Sequence, residues 1–195
     1  TWHTALLGGT DALATKAPQR VELPDTVHAE LREYQRRGVD WLYWMSRNNL
    51  GAVLADDMGL GKTLQLLALL AVEHERGEAA APTLVVAPTS VVGNWAREAD
   101  KFVPSLRVLV HHGSDRLRGE ELAARVAESD LVVTSYGIVG RDFDELGKIP
   151  WDRVVLDEAQ AIKNPANETS QQLRRIPATI RLALTGTPVE NNLEE

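Results

Sequence analysis

The sequence predicts an α/β fold: a mostly parallel sheet sandwiched between helices. Two observations carry this. Short runs rich in Val or Leu, each of strand length, recur along the chain, and helical patterns separate most of them. The runs are apolar at consecutive rather than alternate positions, the signature of strands buried on both faces by helical layers.

Residues 1–27 are mixed, are broken by Gly8, Gly9, Pro18 and Pro24, and hold no sustained periodicity, so they are expected to form a flank on the surface of a domain spanning 28–195. From His28, Leu31, Tyr34, Gln35, Gly38, Trp41, Leu42 and Met45 recur at helical spacing up to Asn48 and Asn49. Strands are expected at 52–55, 83–87, 108–111, 131–135, 154–158 and 181–186. One intervening helix runs from about Thr63 to Arg76 and is stopped by Gly77. Another spans 91–103, with Val92, Trp95, Ala96, Ala99, Phe102 and Val103 on one face and Ser90 as its expected N-cap. In such sheets ligands sit at the carboxyl ends of the strands.

Composition narrows the function classes. The chain has 195 residues, 44% of them apolar, and 21 basic against 28 acidic residues give a formal charge of −7. A chain this long buries roughly 70% of its extended surface in one core and needs no staple. Zero cysteines exclude disulfide scaffolds and cysteine-based zinc or iron sites. No apolar run approaches the ~20 residues that span a bilayer, so no membrane association is expected, and the chain reads as soluble and cytoplasmic, or nuclear if eukaryotic. The acidic balance argues against bulk attraction to nucleic acid, though not against a local phosphate-binding face. The first residue, Thr1, and the helix-like ending NNLEE suggest an excised fragment, expected to be monomeric.

The residues at the strand ends carry the chemistry. Directly after the run 52–55 comes Asp56-Asp57-Met58-Gly59-Leu60-Gly61-Lys62-Thr63, followed at once by an apolar helix. In a phosphate-binding loop of this form, Gly59 and Gly61 let backbone amides cradle phosphates beside a helix N-terminus. Lys62 neutralises the β- and γ-phosphates, and the Thr63 hydroxyl ligates magnesium. Asp57 and Leu64 complete the nucleotide-binding set. The strict pattern has Gly at position 56, and the bland alternative is a glycine-rich turn with an exposed lysine; the strand–loop–helix context favours the phosphate loop.

A second element ends the run Arg153-Val154-Val155-Leu156 in Asp157-Glu158-Ala159-Gln160. An acidic pair after a buried strand is costly unless metal and water satisfy it. Asp157 would hold magnesium, and Glu158 would orient and deprotonate the attacking water. The same carboxylates could instead cap a following helix, a reading that the loop at 56–63 disfavours. A third element, Leu184-Thr185-Gly186-Thr187-Pro188, places two hydroxyls where they could sense a γ-phosphate, or serve as ordinary turn residues.

In order along the chain, LREYQ (31–35), DDMGLGKT (56–63), VVAPTSVVGNW (85–95), VTSYG (133–137), DEAQAIKN (157–164) and LTGTPVENN (184–192) resemble the first, RecA-like motor lobe of the Swi/Snf-type ATPases of helicase superfamily two, in particular bacterial members. In that family Asp at position 56 is normal. The resemblance implies that Gln35 reads adenine, that Lys62, Asp157 and Glu158 serve hydrolysis with Thr63 and Asp157 on magnesium, and that Gln160, Thr185 and Thr187 couple nucleotide state to DNA. It also implies that the turns at Pro88, Thr89 and Ser90 and at Ser135 and Tyr136 face the backbone of duplex DNA through amides and hydroxyls, contacts that need few basic residues. ATP and magnesium are the implied cofactors. Double-stranded DNA and a second RecA-like lobe in cis, which carries an arginine finger, are the implied partners.

The function so implied is ATP-dependent translocation on duplex DNA, with little catalysis by this lobe alone. A nucleotide-gated DNA-binding module is the alternative, and VAPTSVVGNW with LTGTP disfavours an unrelated P-loop ATPase. Trp41, Trp44, Trp95 and Trp151 read as core, His111-His112 as a strand end without further metal ligands nearby in sequence, and the stretch around Glu120 and Glu121 as a solvated helix face.

Overall fold

The computed structural model describes residues 18–55, 61–159, 162 and 168–186. Six strands, β1 (Ala52–Ala55), β2 (Thr83–Ala87), β3 (Val108–Val110), β4 (Leu131–Ser135), β5 (Trp151–Leu156) and β6 (Ala178–Thr185), form one sheet in the order β1-β6-β5-β2-β4-β3. Every pairing is parallel, with Leu54 opposite Leu184, Leu182 opposite Val155 and Val155 opposite Val85. The helices are α1 (Glu33–Arg47), α2 (Lys62–Glu75), α3 (Thr89–Phe102), α4 (Gly119–Ala127), α5 (Tyr136–Arg141), α6 (Phe143–Leu146) and α7 (Glu168–Arg175).

Successive strand residues point to opposite faces, so a strand apolar at every position feeds two cores. Val85 and Ala87 of β2 pack with Leu42 of α1, Leu66 and Leu70 of α2, and Val92 and Trp95 of α3. Leu84 and Val86 turn the other way, onto Leu122 and Val126 of α4, Val139 of α5, Leu146 of α6 and Leu173 of α7. Helix α2 is buried from Gln65 to Glu73, which explains its weak amphipathicity. None of the described helices is long and apolar enough to cross a membrane.

Several boundaries differ from the sequence expectation. Helix α1 starts at Glu33 rather than His28, because the Gln35 side chain accepts the Arg32 amide (2.8 Å) and closes the first turn there. The N-cap of α3 is Pro88, whose carbonyl receives the Val91 amide (3.0 Å); Ser90 lies inside the helix and caps nothing. Strand β3 ends at Val110, and β5 and β6 begin earlier than expected, at Trp151 and Ala178. Trp41 is not core: it is 38% exposed and meets Trp44 edge-on, with ring centroids 5.7 Å apart. In the flank, Val21 is buried, and it donates its amide to Asp40 (2.8 Å) and receives Arg36 at its carbonyl (2.9 Å), which ties residues 20–21 to α1.

At the amino-terminal ends of the strands lies a fully buried polar network. The Arg153 guanidinium sits 2.9 Å from Glu73 Oε1 and donates to Glu73 Oε2 (3.0 Å) and to the Ser46 hydroxyl (2.9 Å), which itself donates to Glu73 (2.9 Å). This joins β5 to α1 and α2. Removing one partner strands the other charge in the core, whereas replacing both with apolar groups need not be costly. Glu73→Ala is therefore expected to lower the unfolding free energy by about 3–5 kcal/mol in urea denaturation, and the double substitution Glu73→Leu with Arg153→Met to recover most of that loss.

Candidate nucleotide site

The carboxyl ends of β1, β5 and β6 bring together residues far apart in sequence. Gly61 is the N-cap of α2 at φ 128°, a backbone conformation natural only to glycine. A Cβ there would lie 2.4 Å from Gln35 Nε2, so the carboxamide of Gln35 rests directly against the turn that starts α2. Lys62 follows, nearly buried, and donates its ammonium to Glu158 Oε1 (3.0 Å) while standing 4.0 Å from Asp157 Oδ1. Across from this pair, a Cβ on Gly186 would sit 3.6 Å from Lys62 Nζ and 3.8 Å from both Glu158 carboxylate oxygens. The end of β6 therefore walls the same small volume, with Thr185 buried beside it.

Asp157 is the most constrained group in the site. Burial pushes its carboxyl up, opposed by the Trp95 hydrogen bond and the Lys62 ammonium. Trp95 Nε1 donates to Oδ2 (2.8 Å), the Glu158 amide donates to Oδ1 (2.9 Å), and the Tyr136 hydroxyl donates to the Asp157 carbonyl (2.7 Å). Burial raises the Tyr136 phenol as well, which keeps it a donor. Glu158 adopts φ 50°, uncommon for a non-glycine residue, and such strain persists where surrounding contacts over-determine it.

The donor set fits magnesium. That ion takes oxygen ligands, keeps several waters, and is held by one or two carboxylates together with substrate phosphates. Asp157 and the half-buried Thr63 hydroxyl supply such oxygens. Among the described residues no group of three or more His, Cys, Asp or Glu could hold a metal by side chains alone.

Of the residues singled out in the sequence, Gln35, Gly61, Lys62, Asp157, Glu158 and Thr185 converge at these strand ends, with Thr63 and Leu64 in the first turn of α2. Asp57, Gly59, Gln160 and Thr187 lie outside the described residues. Thr89 and Ser90 are exposed in the first turn of α3, beside the half-buried Pro88. Ser135 and Tyr136 depart from the expectation of outward hydroxyls. Ser135 is 2% exposed and accepts the Ile138 amide (3.2 Å) to cap α5, and Tyr136 turns inward to Asp157. Sequence reading placed Trp95 in the core and missed its bond to Asp157, although an indole N–H seldom goes unpaired when buried.

Behind the site, a second charged cluster pins the far end of α5. Asp142 is buried and receives Arg116 through both Nε (2.6 Å) and Nη2 (2.9 Å), with His111 Nε2 2.7 Å away.

The SNF2-related domain profile matches residues 34–195. The chain belongs to this family, that of the Swi/Snf-type ATPase motors. It is 45% identical over 165 residues to YwqA of Bacillus subtilis, named an ATP-dependent helicase/translocase, covering 85% of this chain and 18% of YwqA. It is 39% identical over 176 residues to the ISWI chromatin-remodeling complex ATPase ISW1 of Saccharomyces cerevisiae, covering 89% of this chain and 16% of that one. Among solved structures it superposes on the Sulfolobus solfataricus SWI2/SNF2 ATPase core in complex with dsDNA, with a TM-score of 0.80 and 39% identity over 90% of this chain and 36% of that one. The chain thus spans less than a fifth of the length of these two relatives. The RecA-like lobe expected from the sequence is the architecture observed.

Two outcomes test this geometry. Gly61→Ala forces an L-residue into a glycine conformation against Gln35, and is expected to destabilise the chain by about 1–3 kcal/mol in urea denaturation. Arg116 beside Asp142, opposed by burial and helped by His111, holds the Asp142 carboxyl at about 2, below its ordinary value of 3.8. Because the folded value is the lower one, ionised Asp142 stabilises the fold above its unfolded value and loses that contribution as pH falls towards 2. Asp142→Asn is therefore expected to lower the thermal midpoint by several degrees at pH 7, and the gap to wild type should narrow steadily below pH 4.

Proposed function

We propose that this chain is the ATP-binding lobe of an ATP-dependent double-stranded DNA translocase of the chromatin-remodelling type, acting with a second RecA-like lobe in the full-length protein. The observation that carries the reading is the convergence of Lys62 on Asp157 and Glu158, residues 95 and 96 positions away, at the carboxyl edge of a parallel sheet. Membership of the SNF2-related family and the likeness to a motor core solved with duplex DNA support it.

In this reading Gln35, seated against the turn into α2, reads the adenine edge. The Lys62 ammonium neutralises phosphate charge next to the N-terminus of α2, whose unpaired amides favour anions. Asp157 and Thr63 hold magnesium, which when bound neutralises charge on the phosphates during transfer. Glu158 accepts a proton from the water it orients, its carboxylate being more exposed to solvent than that of Asp157. Thr185, together with Gln160 and Thr187, relays the nucleotide state. Thr89 and Ser90 present hydroxyls and the amides of the first turn of α3 to the DNA backbone, while the turn at Ser135 and Tyr136 uses main-chain amides. With a net charge of −7, such binding gains little from bulk attraction and is strongly salt-sensitive.

Lys62→Ala is expected to abolish nucleotide binding in titration calorimetry, and affinity equal to wild type would end the phosphate-loop reading. In the full-length protein, Glu158→Gln should keep nucleotide affinity and lose turnover, while Asp157→Asn should also weaken magnesium-dependent binding. An arginine finger supplied from outside a P-loop site contributes ~10³–10⁵ in turnover, so residues 1–195 alone should release phosphate negligibly with or without duplex DNA. Full-length protein that binds nucleotide and DNA but shows no DNA-stimulated phosphate release would favour a nucleotide-gated binding module instead.

A further inference from the structure

We propose that Trp95 and Tyr136 are positioning residues that clamp Asp157 from the two faces of the sheet and so set its hold on the nucleotide-bound magnesium. The inference rests on the reading of the site as a magnesium-nucleotide pocket and deepens it. Helix α3 belongs to one core and Tyr136 packs against the other, yet both donate to the same residue.

The two bonds fix different parts of Asp157. Trp95 Nε1 occupies Oδ2 at 2.8 Å, and with the indole 1% exposed the carboxylate cannot rotate without leaving a buried donor unpaired. That leaves Oδ1, which carries the Glu158 amide on one lone pair and faces the Lys62 ammonium at 4.0 Å, as the oxygen turned towards the phosphate-binding side. Tyr136 holds the Asp157 carbonyl at 2.7 Å and with it the peptide plane that leads into Glu158. Glu158 sits at φ 50° on the far side of that plane, so a loosened peptide would let this strained residue relax. Phenylalanine would pack as well in place of Tyr136 and would keep an aromatic ring, though a smaller one, in place of Trp95; the indole N–H and the phenol hydroxyl are what packing alone does not require. Groups that orient a metal ligand in this way typically cost 10- to 100-fold in metal affinity or activity when removed.

The test is magnesium-dependent ADP binding by the full-length protein, followed by calorimetry across a magnesium titration, with thermal midpoints recorded for each variant. Trp95→Phe and Tyr136→Phe are each expected to raise the magnesium concentration at half-effect by about tenfold, with ADP affinity in the absence of magnesium unchanged. A magnesium midpoint left at the wild-type value overturns the assignment of the residue concerned. An equal loss of ADP binding with and without magnesium overturns it too, because general damage to the pocket then explains the variant. Should Trp95→Phe fail to fold, Tyr136→Phe, which removes one hydroxyl, decides the proposal. Wild-type protein whose ADP binding ignores magnesium would instead bring down the reading of the site itself.

Discussion

A buried carboxylate at the end of a central strand is the constraint around which this lobe is organised. Asp157 leaves β5 only 6% exposed, where an ionised group without partners would be untenable. Its needs are met from separate elements: Lys62 at the start of α2, Trp95 in the second turn of α3, and Tyr136 at the first residue of α5. Each of these helices follows a strand of the same sheet, so the parallel order that buries the strands also delivers three helix beginnings to one residue. The strained backbone of Glu158 is held in place by the same contacts.

The two ends of the sheet do different work. At the amino-terminal ends, Arg153, Glu73 and Ser46 bind one another, with Thr83 also accepting from Arg153, in a buried network that joins β5 to α1 and α2. At the carboxyl ends Lys62 donates to Glu158, and Gly186 lies against both, so the polar groups gather in one cluster. Strand β5 carries both, Arg153 near its start and Asp157 just past its end. A shift of that strand would therefore disturb packing and site together.

Helix α5 is fixed at both termini by polar contacts. Ser135 caps its start, Tyr136 ties its first residue to Asp157, and Asp142 at its end is gripped by Arg116 and His111. A short helix of six residues has little stability of its own. Its tertiary anchors, the Arg116–Asp142 ion pair among them, let it serve as a rigid spacer between the loop after β3 and the site.

The local sequence determined the elements that repeat a pattern. Val- and Leu-rich runs apolar at every position mark strands covered on both faces, and Gly61-Lys62-Thr63 ahead of an apolar stretch marks the start of a helix, because both rest on periodicity and spacing a few residues long. Ends were less legible. The start of α1 depends on Gln35 reaching back to Arg32, and the start of α3 on Pro88 rather than Ser90, single contacts that propensity does not rank. Tertiary structure alone decided the order β1-β6-β5-β2-β4-β3, which sets β6 between β1 and β5 and so brings Gly186 to Lys62 and Glu158. It alone gave Trp95, a core residue as expected, its bond to Asp157, and turned the Tyr136 hydroxyl inward. The physical reason is the same in each case: the sequence shows that a buried N–H, hydroxyl or carboxylate must find a partner, but which partner is within 3 Å depends on how strands distant in sequence lie side by side.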